Sequence, residues 1–488
     1  MAMLGKRRPP RPTAGHSGLV RKPNRKAESK ESASTALTIE RLAHDGRGVA
    51  HNAAGKTVFV DQALPGEQVD AAVHVTRKRY DEAHIKTRLT TSEQRVEPPC
   101  PYFGQCGGCD LQHLNITAQR QHKRDVVTEL MARQGITLGT ITALNGASEH
   151  YRRRARLGVK VDGQGNVLLG FRAPHSHRLV DIEQCHVLVP ALNALILPLR
   201  QLLATLEAPR LVGHVELLAT HEAIVILVRQ LKAHEQDIAR WQRFAEQQQI
   251  SLGTWLGRET AAFHWNDAQN AVEPVLQEVL NLDEMGIRRT NLHQKDLDLE
   301  GANAPGVLTL HFLPGDFLQV NAEVNQKMVA QVVEWLTPMP GQQLLDLFAG
   351  IGNFSLPLAA AGAQMTAVEG NPTMVERITA NAIANQLDVS ALQADLSNAD
   401  TVQNLLSECQ QIDALVLDPP RNGAEAVCQA LGRYKIPKVA YISCDPATLA
   451  RDAAHLVHAG YRVRQVAVAD MFLHTAHLET LMLFEYVG

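Results

Sequence analysis

Cys444 stands in the segment YISCDPATLARD, after an apolar strand and before a helix that Pro446 starts and Asp445 is placed to cap. A thiol at a helix N-terminus, on the carboxyl edge of a sheet, can have a lowered pKa and act as a nucleophile; a buried structural cysteine is the other reading of the position. A second group of thiols lies far upstream. Cys100, Cys106 and Cys109 are spaced C-x5-C-x2-C in PPCPYFGQCGGCD, and Cys185 in DIEQC offers a fourth thiolate. Four soft ligands at one point select zinc or an iron–sulfur cluster, and spacing alone leaves both open. Gly104, Gly107 and Gly108 suit a loop wrapped around a bulky centre. Cys409 and Cys428, beside or within helical segments, are read as inert thiols.

Acidic side chains mark a cofactor crevice. LLDLFAGIGNFSLPLA reads as a buried strand, a Gly-x-Gly turn at Gly350 and Gly352, and a helix. Glu369 ends the next strand, 17 residues after Gly352, where a carboxylate can accept hydrogen bonds from both hydroxyls of a ribose. Ser355 replaces the third glycine of the dinucleotide fingerprint, so the turn suits S-adenosylmethionine better than NAD. Asp395 falls where a third strand would present a polar group to an adenine, or where a loop acid would cap a helix. Asp418-Pro419-Pro420-Arg421 closes a fourth strand; its two prolines stiffen the exit and aim the strand-end carboxylate into the crevice. Arg421, in place of an aromatic residue there, speaks against methylation of an exocyclic amine.

The elements that must position these groups divide the 488 residues into four parts. Residues 1–34, rich in Pro, Ser and Lys/Arg, read as a disordered basic arm. Residues 35–93 read as a small OB-like β-barrel of five strands (Thr38–Leu42, Val49–His51, Thr57–Val60, Gln68–Val75 and Ala83–Leu89) separated by turn dipeptides. Residues 94–303 are a mixed α/β central domain, with a helix predicted over Thr117–Arg133 after the cysteine loop. From residue 304 to 488 strands alternate with helices, the pattern of a doubly wound parallel sheet. A last strand, Leu478–Tyr486, is expected to run antiparallel at the end of that sheet.

Charge is distributed unevenly. The formal net charge is −3, but residues 1–30 carry +8, which leaves −11 on the other 458. A basic arm on an acidic body is an electrostatic footprint for a polyanion. In YRRRARLGVK a strand would put Arg152, Arg154 and Arg156 on one face, read as a phosphate-contacting stripe. No apolar run is long enough to cross a bilayer, and seven cysteines without a secretion signal point to a cytoplasmic protein with reduced thiols.

Taken in order, FLQVN, DLFAGIGNFSLPLA, DPPRNG, SCDPATLARD and HTAHLET, preceded by GRGVA, FVDQALPGEQV and the cysteine loop, resemble the bacterial 23S ribosomal RNA uracil-C5 methyltransferases of the RNA m5U methyltransferase family. The resemblance covers nearly the whole chain beyond the arm. It implies a class I Rossmann-like methyltransferase domain, an RNA-binding TRAM barrel, and a central domain holding a [4Fe–4S] cluster on Cys100, Cys106, Cys109 and Cys185. It further implies Gln319, Phe348, Asn353, Glu369, Asp395 and Asp418 around S-adenosylmethionine, Cys444 as nucleophile and Glu479 as general base. One departure is Leu473, which takes the place of a common proline in the loop leading to Glu479. The implied substrate is a uracil of 23S rRNA, at the position the family addresses, uracil 1939, methylated by a monomer with no obligate protein partner. Uracil C5 is a poor nucleophile, so the chemistry requires a thiolate adding at C6 and a base removing the C5 proton before β-elimination. The rival expectations are another rRNA or tRNA uracil, or a non-catalytic RNA-binding assembly factor; a redox role for the cluster is a third.

Overall fold

The computed structural model describes residues 36–266, 276–290, 306–409 and 411–488; the arm expected over residues 1–34 lies outside the described residues. Turn residues cut the N-terminal segment into six strands: β1 (Leu37–Thr38), β2 (Arg41–Leu42), β3 (Gly48–His51), β4 (Thr57–Asp61), β5 (Gln68–Thr76) and β6 (Tyr80–Arg88). They join in the order β1-β5-β6-β4-β3-β2. The stretch expected as one strand, Thr38–Leu42, divides in two. Its first part pairs with β5 and its second with β3. Ile39 N donates to Glu67 O and Glu40 N to Val49 O, so one short stretch ties both edges of the sheet together and closes the barrel. Ile39, Val58, Val60 and Val69 fill it.

After the cysteine loop come α1 (Ile116–Arg133) and β7 (Ile141–Leu144). The central elements are β8 (Arg154–Val161), β9 (Val167–Arg172), β10 (Leu179–Asp181), α2 (Pro190–Asn193), α3 (Ile196–Thr205), β11 (Val212–Ala219), β12 (Ile224–Gln230), α4 (Glu235–Gln248), β13 (Ser251–Leu256) and β14 (Ala262–Trp265). Their sheet has the order β10-β9-β8-β11-β12-β13-β14. Leu199 and Leu203 of α3 and Trp241 and Phe244 of α4 cover one face, packing on Leu157, Val215, Leu217, Ile226 and Val228. Next, β15 (Gln277–Asn281) pairs antiparallel with β16 (Val307–His311).

The C-terminal elements are α5 (Ala322–Leu336), β17 (Gln343–Leu347), α6 (Ser355–Ala360), β18 (Gln364–Glu369), α7 (Pro372–Ala384), β19 (Val389–Gln393), α8 (Ala399–Glu408), β20 (Ala414–Leu417), α9 (Glu425–Tyr434), β21 (Lys438–Ser443), α10 (Pro446–His458), β22 (Tyr461–Ala469) and β23 (Glu479–Tyr486). The sheet order is β19-β18-β17-β20-β21-β23-β22-β7.

Four features depart from the sequence expectation, each for a non-local reason. β23 is antiparallel, yet it lies inside the sheet, between β21 and β22. β7 adds a parallel edge strand from the segment assigned to the central domain. Met131, Val126 and Val127 of α1 share a core with Leu449, Leu456 and Phe484, so α1 also packs on the C-terminal layer. The boundary drawn between 303 and 304 separates the paired strands β15 and β16, whose Leu280, Leu308 and Leu310 join the core beneath α5. Apolar periodicity reports that a face is buried but not which neighbour buries it.

Candidate active site

Parallel β18, β17, β20 and β21 end at one edge, and their exits converge on a cavity of about 670 Å³. Gln319, Phe348, Asn353, Glu369, Asp418, Cys444 and Glu479 all line it. Asp395 does not. It follows β19 as an exposed side chain whose carboxylate accepts from Ser397 N at 3.0 Å and Ser397 Oγ at 2.6 Å, the loop-acid alternative.

Local backbone aims each group. Phe348, Gly350 and Gly352 take positive φ values of 66°, 59° and 95°, which turns the chain sharply off β17. A side chain on Gly352 would collide with Leu356, whereas one on Gly350 would meet open space, as expected where backbone faces a cavity. Glu369 is held at both oxygens: Gly350 N donates to one at 3.1 Å and Asn371 N to the other at 3.0 Å. Asn353 exchanges two amide hydrogen bonds with Asn325 of α5, at 2.9 and 3.0 Å.

Cys444 and Glu479 meet through strand register. Ser443, the last residue of β21, pairs with Thr480 of β23; one step further along the antiparallel ladder stand Cys444 and Glu479. Asp445 caps α10 by accepting from Ala447 N and Thr448 N, both at 3.0 Å, and holds the thiol at the sheet edge. Burial, with Asp418 beside it, keeps the Glu479 carboxyl well above the usual range. Burial and Asp346 raise Asp418 to about 7; Asp346, buried beneath it against Ser355 Oγ at 2.5 Å, is itself pushed up to about 7. Contrary to the lowered thiol pKa anticipated for Cys444, burial, Glu479 and Asp418 push it up to about 11, with Arg421 opposing them. Desolvation and two nearby acids outweigh one helix terminus.

The loop before Glu479 is anchored by side chains that sequence reasoning did not single out. Buried Lys123 donates to Phe472 O at 2.9 Å, and Tyr151 OH to Leu473 O at 2.7 Å. Gln119 accepts from His474 N at 3.0 Å, and Arg120 pairs with Asp470 at 2.7 Å. Leu473 itself is fully buried against Tyr151 and Val187, which gives the residue in place of the common proline an apolar seat. A second unforeseen network reaches the cavity from the central sheet. Arg153 forms a buried ion pair with Glu278 and donates Nε to Gln319 O at 2.9 Å; Asn325 Nδ2 lies 3.4 Å from the same Glu278. No spacing rule links residues 153, 278, 325 and 353. The expected phosphate stripe is partly spent internally, since Arg154 and Arg156 both bind Glu216, at 2.6 and 2.8 Å.

Cys100, Cys106, Cys109 and Cys185 are free thiols around a separate cavity of about 300 Å³. Gly107 N donates to Arg172 O at 2.9 Å, so close that a Cβ there would lie 2.8 Å from the same oxygen. Tyr102 OH accepts from Glu183 N at 2.9 Å, fastening the loop to the segment that carries Cys185. Burial and the neighbouring thiols push Cys109 up to about 12 and Cys106 up to about 11. Among the described residues no three His, Cys, Asp or Glu side chains close on a point where one metal ion would sit. The four sulfurs ring a space instead. Arg421, Phe472 and His477 line both this cavity and the larger one, so the two share a wall.

Residues 304–487 match the family described as tRNA (Uracil-5-)-methyltransferase, and residues 35–86 match the TRAM domain. Over its whole length the chain is 53% identical to the 23S rRNA (uracil(1939)-C(5))-methyltransferase RlmD of Halomonas elongata, covering 97% of that protein. The chain belongs to the RNA uracil-C5 methyltransferase family. It is also 50% identical to the RlmD of Chromohalobacter salexigens, with 99% of this chain and 95% of that one covered. A solved structure of similar fold is the tRNA (uracil-54, C5)-methyltransferase of Pyrococcus abyssi in complex with S-adenosyl-L-homocysteine, with a TM-score of 0.67, 21% identity, and 92% of this chain and 100% of that one covered. Membership in the uracil-C5 methyltransferase family makes this chain an enzyme. No described helix is long and apolar enough to cross a membrane.

Proposed function

We infer that the chain methylates C5 of a uracil in 23S rRNA, the one numbered 1939 in its relatives, using S-adenosylmethionine. The observation that carries this reading is that Cys444 and Glu479 stand one step beyond the last pair of one antiparallel ladder and line a cavity also lined by Glu369 and Asp418. Gln319, Phe348, Asn353, Glu369 and Asp418 would hold the cofactor; the fixed carboxylate of Glu369 suits a ribose diol. S-adenosylmethionine, when bound, supplies the electrophilic methyl group that C5 receives. The target uracil must leave its stack to enter so deep a site.

The chain's own groups carry the remaining steps. Cys444 Sγ, once ionised, adds to uracil C6 and makes C5 nucleophilic. After C5 is methylated, Glu479 removes its proton; the electron pair of that C–H bond forms the C5=C6 double bond, and Sγ leaves as thiolate. A carboxylate with a raised pKa is a better acceptor for that proton. Asp418, raised to about 7, is protonated in about half of the molecules at neutral pH, and in that form can donate a hydrogen bond beside the thiol.

Cys100, Cys106, Cys109 and Cys185 would hold a [4Fe–4S] cluster. Four unpaired thiols around a cavity of about 300 Å³, with room for a group larger than one ion, support that reading. The cluster would staple the loop to the 180s segment beside the catalytic loop, with no electron transfer needed in the reaction. The enzyme would act as a cytoplasmic monomer. A transcript of the rRNA segment substituted with 5-fluorouridine should trap a covalent adduct, because fluorine at C5 cannot leave as a proton. Cys444→Ala should abolish both adduct and methylation while RNA still binds. Methylation by that variant at the wild-type rate would overturn the mechanism.

A further inference from the structure

The central sheet has one face covered by helices α3 and α4; on its second face Leu218, Val225 and Leu227 join the C-terminal core, and Trp255, Phe263 and Trp265 pack against that core while staying half-buried. Register places the side chains of that second face in rows. Arg156 pairs with Glu216, Glu216 with Leu227, Leu227 with Gly253, and Gly253 with Trp265. In the next row Arg229 pairs with Trp255, and Trp255 with Phe263. Arginines therefore stand at one end of the face and aromatic rings at the other. Glycine at 253 is required by this arrangement: a Cβ there would lie 2.7 Å from the Phe263 ring and 2.8 Å from Leu227.

The rings are not closed off. Of the four tryptophans, Trp241 and Trp335 are buried to 2% and 4% exposure, whereas Trp255 and Trp265 are only partly covered. Trp255 meets Phe263 at a tilt of 53° and Phe263 meets Trp265 edge to face, with centroids 5.0 and 4.9 Å apart, so the ring faces are not used up on one another. Together with Leu313 and Pro314 they line an open cavity of about 430 Å³. The same chain segment runs directly into the catalytic cavity. Phe317, 69% exposed, stands three residues beyond Pro314 and lines that cavity with Gln319. Arg154 Nη1 donates to Asp316 O at 2.6 Å, so the strand carrying the arginines grips the connecting loop.

We propose that Trp255, Phe263 and Trp265 form a nucleobase-stacking subsite that receives an unpaired base of the RNA substrate near the target uracil. The proposal rests on the reading of the chain as an RNA methyltransferase. Aromatic faces beside arginines on a sheet suit single-stranded RNA, because every base has a π face and the cations meet its phosphates. An extruded uracil leaves its neighbours unstacked, and a subsite one short loop away offers one of them a new stacking partner.

The test uses the full chain and the rRNA segment around the target uracil. Trp265→Leu keeps an apolar, though smaller, side chain and removes the π face, and should weaken RNA binding by about 5- to 150-fold. Its affinity for S-adenosylmethionine and its kcat at saturating RNA should not change. Trp265→Phe should restore most of the binding. Equal RNA affinity for wild type and Trp265→Leu would overturn the subsite. Should the leucine variant not fold, photo-crosslinking of 4-thiouridine-substituted RNA to the wild-type enzyme decides: a crosslink in the 255–265 peptide supports the subsite, and crosslinks confined elsewhere overturn it. A wild-type enzyme that neither binds nor methylates this RNA would instead sink the functional reading.

Discussion

Cys444 in the free enzyme should be a sluggish thiol, and its sluggishness can be measured. Burial, Glu479 and Asp418 push it up to about 11, against about 8.5 for an unperturbed cysteine. At pH 7.5 such a thiol is ionised to roughly 0.03%, and an ordinary one to about 10%, a ratio of about 300. The more basic thiolate is intrinsically more reactive, with a Brønsted slope of about 0.4–0.5, which recovers a factor of about 10–20. Iodoacetamide should therefore label Cys444 roughly 15- to 30-fold more slowly than an unperturbed, equally accessible thiol at that pH. Labelling followed by mass spectrometry of the Cys444 peptide, from pH 7 to 10, should show about a tenfold rise per pH unit with no plateau. At equal occupancy, the positively charged S-adenosylmethionine should speed labelling relative to neutral S-adenosylhomocysteine, because the cavity holds Glu369, Asp418 and Glu479 and a cation there favours thiolate. A plateau at or below pH 8.5 in the free enzyme would refute the view that desolvation and acids dominate the helix terminus.

Asp418 and Asp346 are both held near 7 when folded and fall to the ordinary carboxylate range when unfolded. Between about pH 4 and pH 7 the folded state therefore keeps protons that the unfolded state releases, and stability falls as pH rises through that window. Asp418→Asn should remove its share, on the order of a few kcal/mol, raising the melting temperature at pH 8 while methylation drops; a lower melting temperature at pH 8 would contradict this. Tyr151→Phe leaves Leu473 O without its buried donor and should cost about 1–3 kcal/mol in chemical denaturation, with single-turnover methylation slowed and RNA affinity unchanged. Glu278→Gln leaves the buried Arg153 guanidinium without its countercharge, and should weaken S-adenosylmethionine binding in calorimetry as well as lowering stability by about 3–5 kcal/mol.

Much of the site was legible before any coordinates. Gly350, Gly352, Glu369, Asp418 and Cys444 all stand at strand ends, and strand ends can be read from apolar runs and turn residues that act within a few positions of one another. The same local signals located α1 and the alternating elements of the C-terminal sheet. Asp395 shows what such reading leaves open. A side chain at that strand exit can face the crevice or its own loop, and here its carboxylate accepts hydrogen bonds from Ser397.

Residue order alone determined the sequence of strands and helices, the glycine turn, and the identity of the thiols and acids available for chemistry. Tertiary structure decided which of them meet. Cys444 faces Glu479 because β23 inserts antiparallel beside β21, a register set by contacts between strands distant in the chain. Arg153 reaches Glu278 and Gln319 from the central sheet, and Arg421, Phe472 and His477 come to divide two cavities, by the same kind of long-range packing. The tertiary structure also reversed the expected shift of the Cys444 thiol: a helix terminus is visible in sequence, but the desolvation and neighbouring carboxyls that outweigh it exist only once the chain has folded.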